Sequence, residues 1–309
     1  MSLRELVVLG TASAVPTRRR SHNGYALRWD EQLIFFDPGE GFQRQCTLAG
    51  VAIARGTAVC ITHFHGDHCL GLPGLIARRE LDNCTDEIPI FYPADGQQYY
   101  ERLRTCTANY MVAPIRERPI EASSNLAAVG HLGRLTLEVA ALDHRASAQG
   151  YRVTEPERRH FDTDALAEAG LAGPIVGRLR SEGSVMGPRG EVKLDDVSST
   201  EPGHSFALVM DTRPCPGAVE LARDVDLLLC ESTFLDSERE LADRYGHMTA
   251  ADAGRLAAEA NAKQLVLSHF SARYPDLSRF AEEAGRFHPK VQVAEDFDHI
   301  PLRPPAAPA

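Results

Sequence analysis

The chain has 309 residues, 43% apolar and 25% charged, with a formal charge of −10 and a pI near 5.6. That length gives one large or two ordinary domains a real core, and the composition excludes wholesale disorder. No run of about 18 apolar residues occurs, so nothing reads as a membrane span, and 33 basic against 43 acidic residues argue against nucleic acid as a partner.

In chain order, Leu6-Val7-Val8-Leu9 stopped by Gly10 predicts a buried strand feeding a loop. That loop holds Arg18, Arg19 and Arg20 and no acid. Two strands are expected at 25–29 and 33–37, closed by Pro38-Gly39. Phe42, Cys46 and Ala49 follow at helical spacing. A strand over 58–62 runs directly into His63-Phe64-His65-Gly66-Asp67-His68. A strand at 88–92, a helix at 96–106 and an alternating strand at 135–142 come next. Later strands are expected at 206–210, 225–230 and 264–268, with a helix at 249–261 before the last. The pattern is α/β, with strands ending in polar loops that bear His and Asp.

The stretch 152–200 breaks this rhythm, with Gly and Pro recurring and few apolar residues between them. It reads as an arm inserted at about 152–200 in a single domain over 1–309, and 301–309 as a Pro/Ala-rich tail. Seven cysteines with no C-x-x-C pair suit reduced thiols in a cytoplasmic protein. The first 20 residues place arginines after the apolar run, the wrong order for a signal peptide.

The cluster His63, His65, Asp67 and His68 is the strongest signal. With 12 His in 309 positions, its chance occurrence is on the order of one in a thousand. Imidazole and carboxylate suit zinc-like ions, and Gly66 lets the backbone turn so that the side chains converge. His63 and His65 point to one metal, Asp67 and His68 to a second. Four ligands cannot close two sites. His144, Asp211 and His269 each stand as the first suitable ligand after an apolar run, where ligands of open α/β sheets collect. A lone loop histidine is more often structural, but beside the first cluster the balance reverses.

HFHGDH with distal His144, Asp211 and His269 resembles the metallo-β-lactamase superfamily. The ordered set FFDPGEGFQRQ, THFHGDHCLGLPGL, LDHRASAQGYRV, MDTRPC, CESTF, GHMTA and LSHFSARY is similar, more narrowly, to the ribonuclease Z (tRNase Z) family. The chain departs from that pattern at Ser21-His22, Ala146-Ser147 and Met210. The resemblance implies an αββα sandwich of two mixed sheets flanked by helices, with a flexible arm inserted. It implies a zinc-dependent endoribonuclease that removes the 3′ trailer of precursor tRNA and leaves a tRNA 3′-hydroxyl. The alternative is a hydrolase of a small phosphodiester or sulfate ester.

By the same resemblance, His63, His65 and His144 would hold one Zn²⁺ and Asp67, His68 and His269 another, with Asp211 bridging; Mn²⁺ could substitute. Two such ions about 3.5–4 Å apart stabilise the attacking and leaving oxygens of an in-line displacement. Asp67 would orient the nucleophilic water. His247 would be the acid for the departing oxygen, kept protonated by Glu231. Arg18, Arg19, Arg20 and Arg28 would read the acceptor end, and Gly173, Pro174, Arg178 and Arg180 of the arm would grip the tRNA elbow. A cytoplasmic homodimer completes the expectation. Net charge does not forbid RNA when cations are focused near the site.

Overall fold

The computed structural model describes residues 4–108 and 113–302. The expected tail lies outside the described residues from 303 onward. Two compact units emerge, one formed by 4–154 with 204–302 and the other by Glu155–Gly203.

The larger unit begins with β1 (Arg4–Gly10), β2 (Gly24–Trp29), β3 (Gln32–Phe36), α1 (Phe42–Leu48) and β4 (Ala58–Cys60). Then come α2 (Gly66–Cys69), α3 (Leu72–Leu81), β5 (Ile88–Pro93), α4 (Gln97–Arg104) and β6 (Ile115–Ile120). A second sheet opens with β7 (Ala127–Leu132), β8 (Leu135–Leu142) and β9 (Ala148–Thr154).

The smaller unit carries β10 (Arg158–Phe161), α5 (Thr163–Glu168), α6 (Pro174–Glu182), β11 (Ser184–Gly187), β12 (Gly190–Lys193) and β13 (Ser198–Glu201). The chain returns through β14 (Ser205–Val209), α7 (Pro216–Ala222), β15 (Leu227–Glu231), α8 (Arg239–Tyr245) and α9 (Ala250–Glu259). It ends with β16 (Leu265–Ser268), α10 (Ser278–Gly285), β17 (Val291–Val293) and β18 (His299–Pro301).

The sheets run β18-β1-β2-β3-β4-β5-β6 and β17-β16-β15-β14-β9-β8-β7. Both are mixed: β3 to β6 and β14 to β17 pair in parallel, the rest antiparallel. Alternation along the strands sorts side chains into layers. Leu6 and Val8 of β1 face inward and join Tyr25, Phe36, Tyr151, Phe206 and Leu229 in one core between the sheets. Val7 and Leu9 face outward against α1 and α3, while Val209, Leu228 and Leu267 pack under α7, α9 and α10. The result is the four-layer αββα sandwich. No helix among the described residues is long and apolar enough to cross a membrane.

The smaller unit has a core of its own, with Leu166, Leu171, Leu179, Val185 and Val197 buried together. Its glycines do local work: Gly183 (φ 79°) ends α6, and Gly187 and Gly190 turn the β11–β12 hairpin.

Candidate metal centre

The expected ligands converge at the ends of strands from both sheets. His63 and His65 follow β4, with Asp67 and His68 on the first turn of α2. His144 follows β8, Asp211 follows β14 and His269 follows β16. Asp211 (φ 44°) and His269 (φ 62°) hold left-handed backbone conformations, as does Asp37 (φ 44°) after β3. Such conformations cost about 1–3 kcal/mol each and gather at functional sites.

Donor atoms of His63, His65, His144 and Asp211 all lie within 4.8 Å of one another, and so do those of Asp67, His68 and His269. Asp211 faces both sets. Its Oδ2 is 3.5 Å from His63 Nε2 and 3.6 Å from His144 Nε2, and its Oδ1 is 3.3 Å from His68 Nε2 and 3.1 Å from His269 Nε2. Asp67 Oδ2 stands 3.5 Å from both His68 Nε2 and His269 Nε2.

The outer partners decide which ring nitrogen faces inward. His63 donates Nδ1–H to Thr62 Oγ1 (3.1 Å), whose hydroxyl donates to Asp37 Oδ2 (2.8 Å). His68 donates Nδ1–H to the same Asp37 oxygen (2.8 Å). His144 donates Nδ1–H to Gly246 O (2.8 Å). His269 donates Nδ1–H to Thr233 Oγ1 (2.8 Å), and Thr233 donates to Glu231 Oε2 (2.7 Å). With Nδ1 so engaged, these four rings turn Nε2 toward the centre.

Inward nitrogens then face each other at 2.8 Å (His63 and His65), 3.3 Å (His65 and His144) and 3.2 Å (His68 and His269). Lone pairs at such distances repel unless a cation lies between them. The edge of a tetrahedral zinc site, with Zn–N of about 2.0–2.1 Å, is roughly 3.3 Å. Asp211 Oδ1 is also buried without a donor among the described residues. The residues fit a bound metal.

Charge differs across the cluster: burial pulls the His68 pKa down, but the Asp211, Asp67 and Asp37 carboxylates prevail and hold it above the usual histidine range. Burial holds His63, His65 and His144 below the usual histidine range, as neutral ligands. Burial also acts to neutralise Asp67 and Asp211, but neighbouring imidazoles outweigh it and hold both well below the usual carboxylate range. His247, half-buried after α8, lines the same cleft of about 650 Å³ as His65, Asp67, Asp211 and His269. Its Nδ1 lies 3.1 Å from Glu231 Oε1 and 4.0 Å from Asp211 Oδ2. Burial pulls its pKa down, but the Glu231 and Asp211 carboxylates prevail and raise it to about 9.

The expected RNA contacts are dispersed. Arg18 and Arg19 are exposed. Arg20 is half-buried, donating to Tyr274 O (2.8 Å) and Ser271 O (3.3 Å), so it ties its loop to the segment after His269. Arg28 sits in β2, held by Glu5 (2.7 Å) and Gly50 O (2.9 Å). In the smaller unit, Arg180 is exposed, Arg178 pairs with Glu182 (3.1 Å), and Gly173-Pro174 starts α6. Sequence reasoning missed Asp37, Thr62 and Thr233. The signal for Asp37 was available: it occupies the strand-end position, just before Pro38-Gly39, that the ligands also occupy.

Two family models match parts of the chain: "Anti-Pycsar protein Apyc1" over residues 4–108 and "Beta-lactamase superfamily domain" over residues 197–270. Human tRNase Z, short form, superposes with a TM-score of 0.71 at 24% identity, covering 97% of this chain and 99% of that one. The fold protein YhfI from Bacillus subtilis gives 0.70 at 17%, with 97% and 99% covered. The fold is that of the metallo-β-lactamase superfamily, and the clustered ligands place the site where two sheets meet.

Sequence likeness narrows the class. Ribonuclease Z of Nocardia farcinica is 49% identical over 305 residues, spanning 98% of this chain and 99% of the relative. Ribonuclease Z of Thermobifida fusca is 49% identical, with 96% and 94% covered. The chain belongs to the ribonuclease Z family.

Proposed function

We propose that this protein is a zinc-dependent endoribonuclease that removes the 3′ trailer of precursor tRNA, leaving a 3′-hydroxyl on the tRNA. The endoribonuclease activity follows from the family. The observation that carries the mechanism is the pair of half-buried His247 and buried Glu231 beside Asp211, at the edge of two converging sets of candidate ligands.

His63, His65 and His144 would hold one zinc, Asp67, His68 and His269 the other, and Asp211 would bridge them. Bound there, the two ions would supply Lewis acidity to a phosphodiester and lower the pKa of water. Manganese is a second candidate, since availability helps decide occupancy. Asp67, ionised beside His68 and His269, orients the attacking water and accepts its proton. His247 has Nδ1 engaged by Glu231, which leaves Nε2 to donate a proton to the departing 3′-oxygen. Thr212 N–H donates to Glu231 Oε1 (2.6 Å) and fixes the carboxylate that holds the acid.

Arg18 and Arg19 supply exposed cations for the acceptor stem, with Arg20 supporting their loop. The unit Glu155–Gly203 serves as the arm, meeting tRNA through Arg178, Arg180 and the main chain at Gly173-Pro174. We place the enzyme in the cytoplasm as a homodimer. The test is elemental analysis with end mapping. Two zinc ions per chain and a trailer bearing a 5′-phosphate support the reading. A 3′-phosphate on the tRNA would contradict the proposed direction of cleavage.

A further inference from the structure

The MDTRPC segment contains a long cationic side chain that the mechanism leaves unused. Arg213, two residues after the bridging carboxylate, is about one-third exposed. It is absent from the walls of the cleft, which Arg145 does line. Each nitrogen of its guanidinium has a partner outside the cleft. Nε and Nη2 both donate to Asp243 O, at 3.1 and 2.8 Å, and Nη1 lies 3.3 Å from Asp143 Oδ1. Its main chain is tied too, with Arg213 N–H on Asp143 O at 2.9 Å and Asp143 N–H on Thr212 Oγ1 at 3.0 Å.

Asp243 lies in the last turn of α8, where carbonyls lack helical partners. The chain leaves that turn through Gly246 (φ 79°), with Gly246 N–H and His247 N–H both bonded to Ala242 O at 2.9 Å. Gly246 O in turn accepts from His144. A Cβ at Gly246 would sit 3.0 Å from His144 Nδ1 and 3.4 Å from Arg213 Nη1, so the three groups are packed in contact. Beyond His247 the chain is held by the capping box of Thr249 and Asp252 at the start of α9. His247 thus hangs between two helix ends, and Arg213 ties the first of them to the strand ends bearing His144 and Asp211.

We infer that Arg213 is a positioning residue, a strut that sets the height of His247 above the bridging Asp211 by gripping the main chain of α8. The inference rests on the reading of His247 as the acid in RNA cleavage. A planar fork can hold one carbonyl with two N–H groups and reach a carboxylate with the third; a lysine cannot.

The experiment compares wild type, Arg213→Gln and Arg213→Lys on precursor tRNA and on bis(p-nitrophenyl) phosphate. It adds zinc content and amide hydrogen exchange over 242–248. Arg213→Gln should lower kcat on tRNA on the order of 10–100-fold, the scale of a misplaced catalytic group, with KM within about twofold. Zinc content should hold, and the Gly246 and His247 amides should exchange faster. Arg213→Lys should recover part of kcat, and it carries the comparison if the glutamine variant does not fold. A raised KM with a salt slope reduced by about one would mean a direct phosphate contact and overturn the strut. So would unchanged kcat or unchanged exchange. A wild type inert on both substrates would contradict the functional reading, while the exchange data still judge the strut.

Discussion

Asp37 shows how much of the centre depends on side chains that touch no ion. One oxygen accepts Thr62 N–H at 2.7 Å, and the other holds His68 Nδ1 and Thr62 Oγ1, both at 2.8 Å. Through Thr62 it also orients His63. Asp37→Ala should weaken zinc binding about 10–100-fold, the usual cost of losing such a partner; competition against a chromophoric chelator measures it, and an unchanged affinity would contradict the orienting role. His247→Ala should instead keep its zinc and lower kcat about 10²–10⁴-fold, the range for a positioned acid, in single-turnover cleavage. The seven candidate ligands were legible because they stand in the loops and turns directly after apolar strands. Their partners were not. A lone Thr62 or Thr233 has no spacing signature, and Gly246 contributes only a carbonyl oxygen.

At the level of elements, strands buried on both faces could be read from their apolar runs, as at β1, β3, β15 and β16. Edge strands could not. β6, Ile-Arg-Glu-Arg-Pro-Ile, is at best half-buried along its length, and β17 and β18 have three residues each. The Gly/Pro stretch hid two helices and two hairpin-like pairs, because most of its glycines sit at caps and turns while a few leucines and valines do the packing. Leu179 is fully buried in that unit. Leu179→Ala should cost about 2–5 kcal/mol locally, read as faster amide exchange confined to 155–203; exchange changes spread over the other unit would contradict an independent core. Thr154 and Ser205 are antiparallel partners, so a short turn can replace 155–203. That deletion should abolish precursor cleavage and spare bis(p-nitrophenyl) phosphate hydrolysis. Survival of both activities would argue for a small-substrate enzyme.

Across the whole molecule, the proposed ions would join the two sheets, since His63 and His65 come from one and His144, Asp211 and His269 from the other. Ions bound at about 100 times their Kd stabilise by about 2.7 kcal/mol. Chelation should therefore lower Tm by about 4 °C for a chain of this size, in a calorimetric scan with and without excess chelator; an unchanged Tm would mean the sheets do not share the ions. The acidic balance proved a poor guide to partners, because net charge averages away a local arginine loop and a dense cation site. The central claim is tested most directly on one precursor tRNA, prepared with and without CCA and offered to wild type and to His65→Ala. Wild type should release the trailer from at least the CCA-less precursor, and His65→Ala from neither. A wild type that leaves both precursors intact, or a variant that cuts as well as wild type, would contradict it.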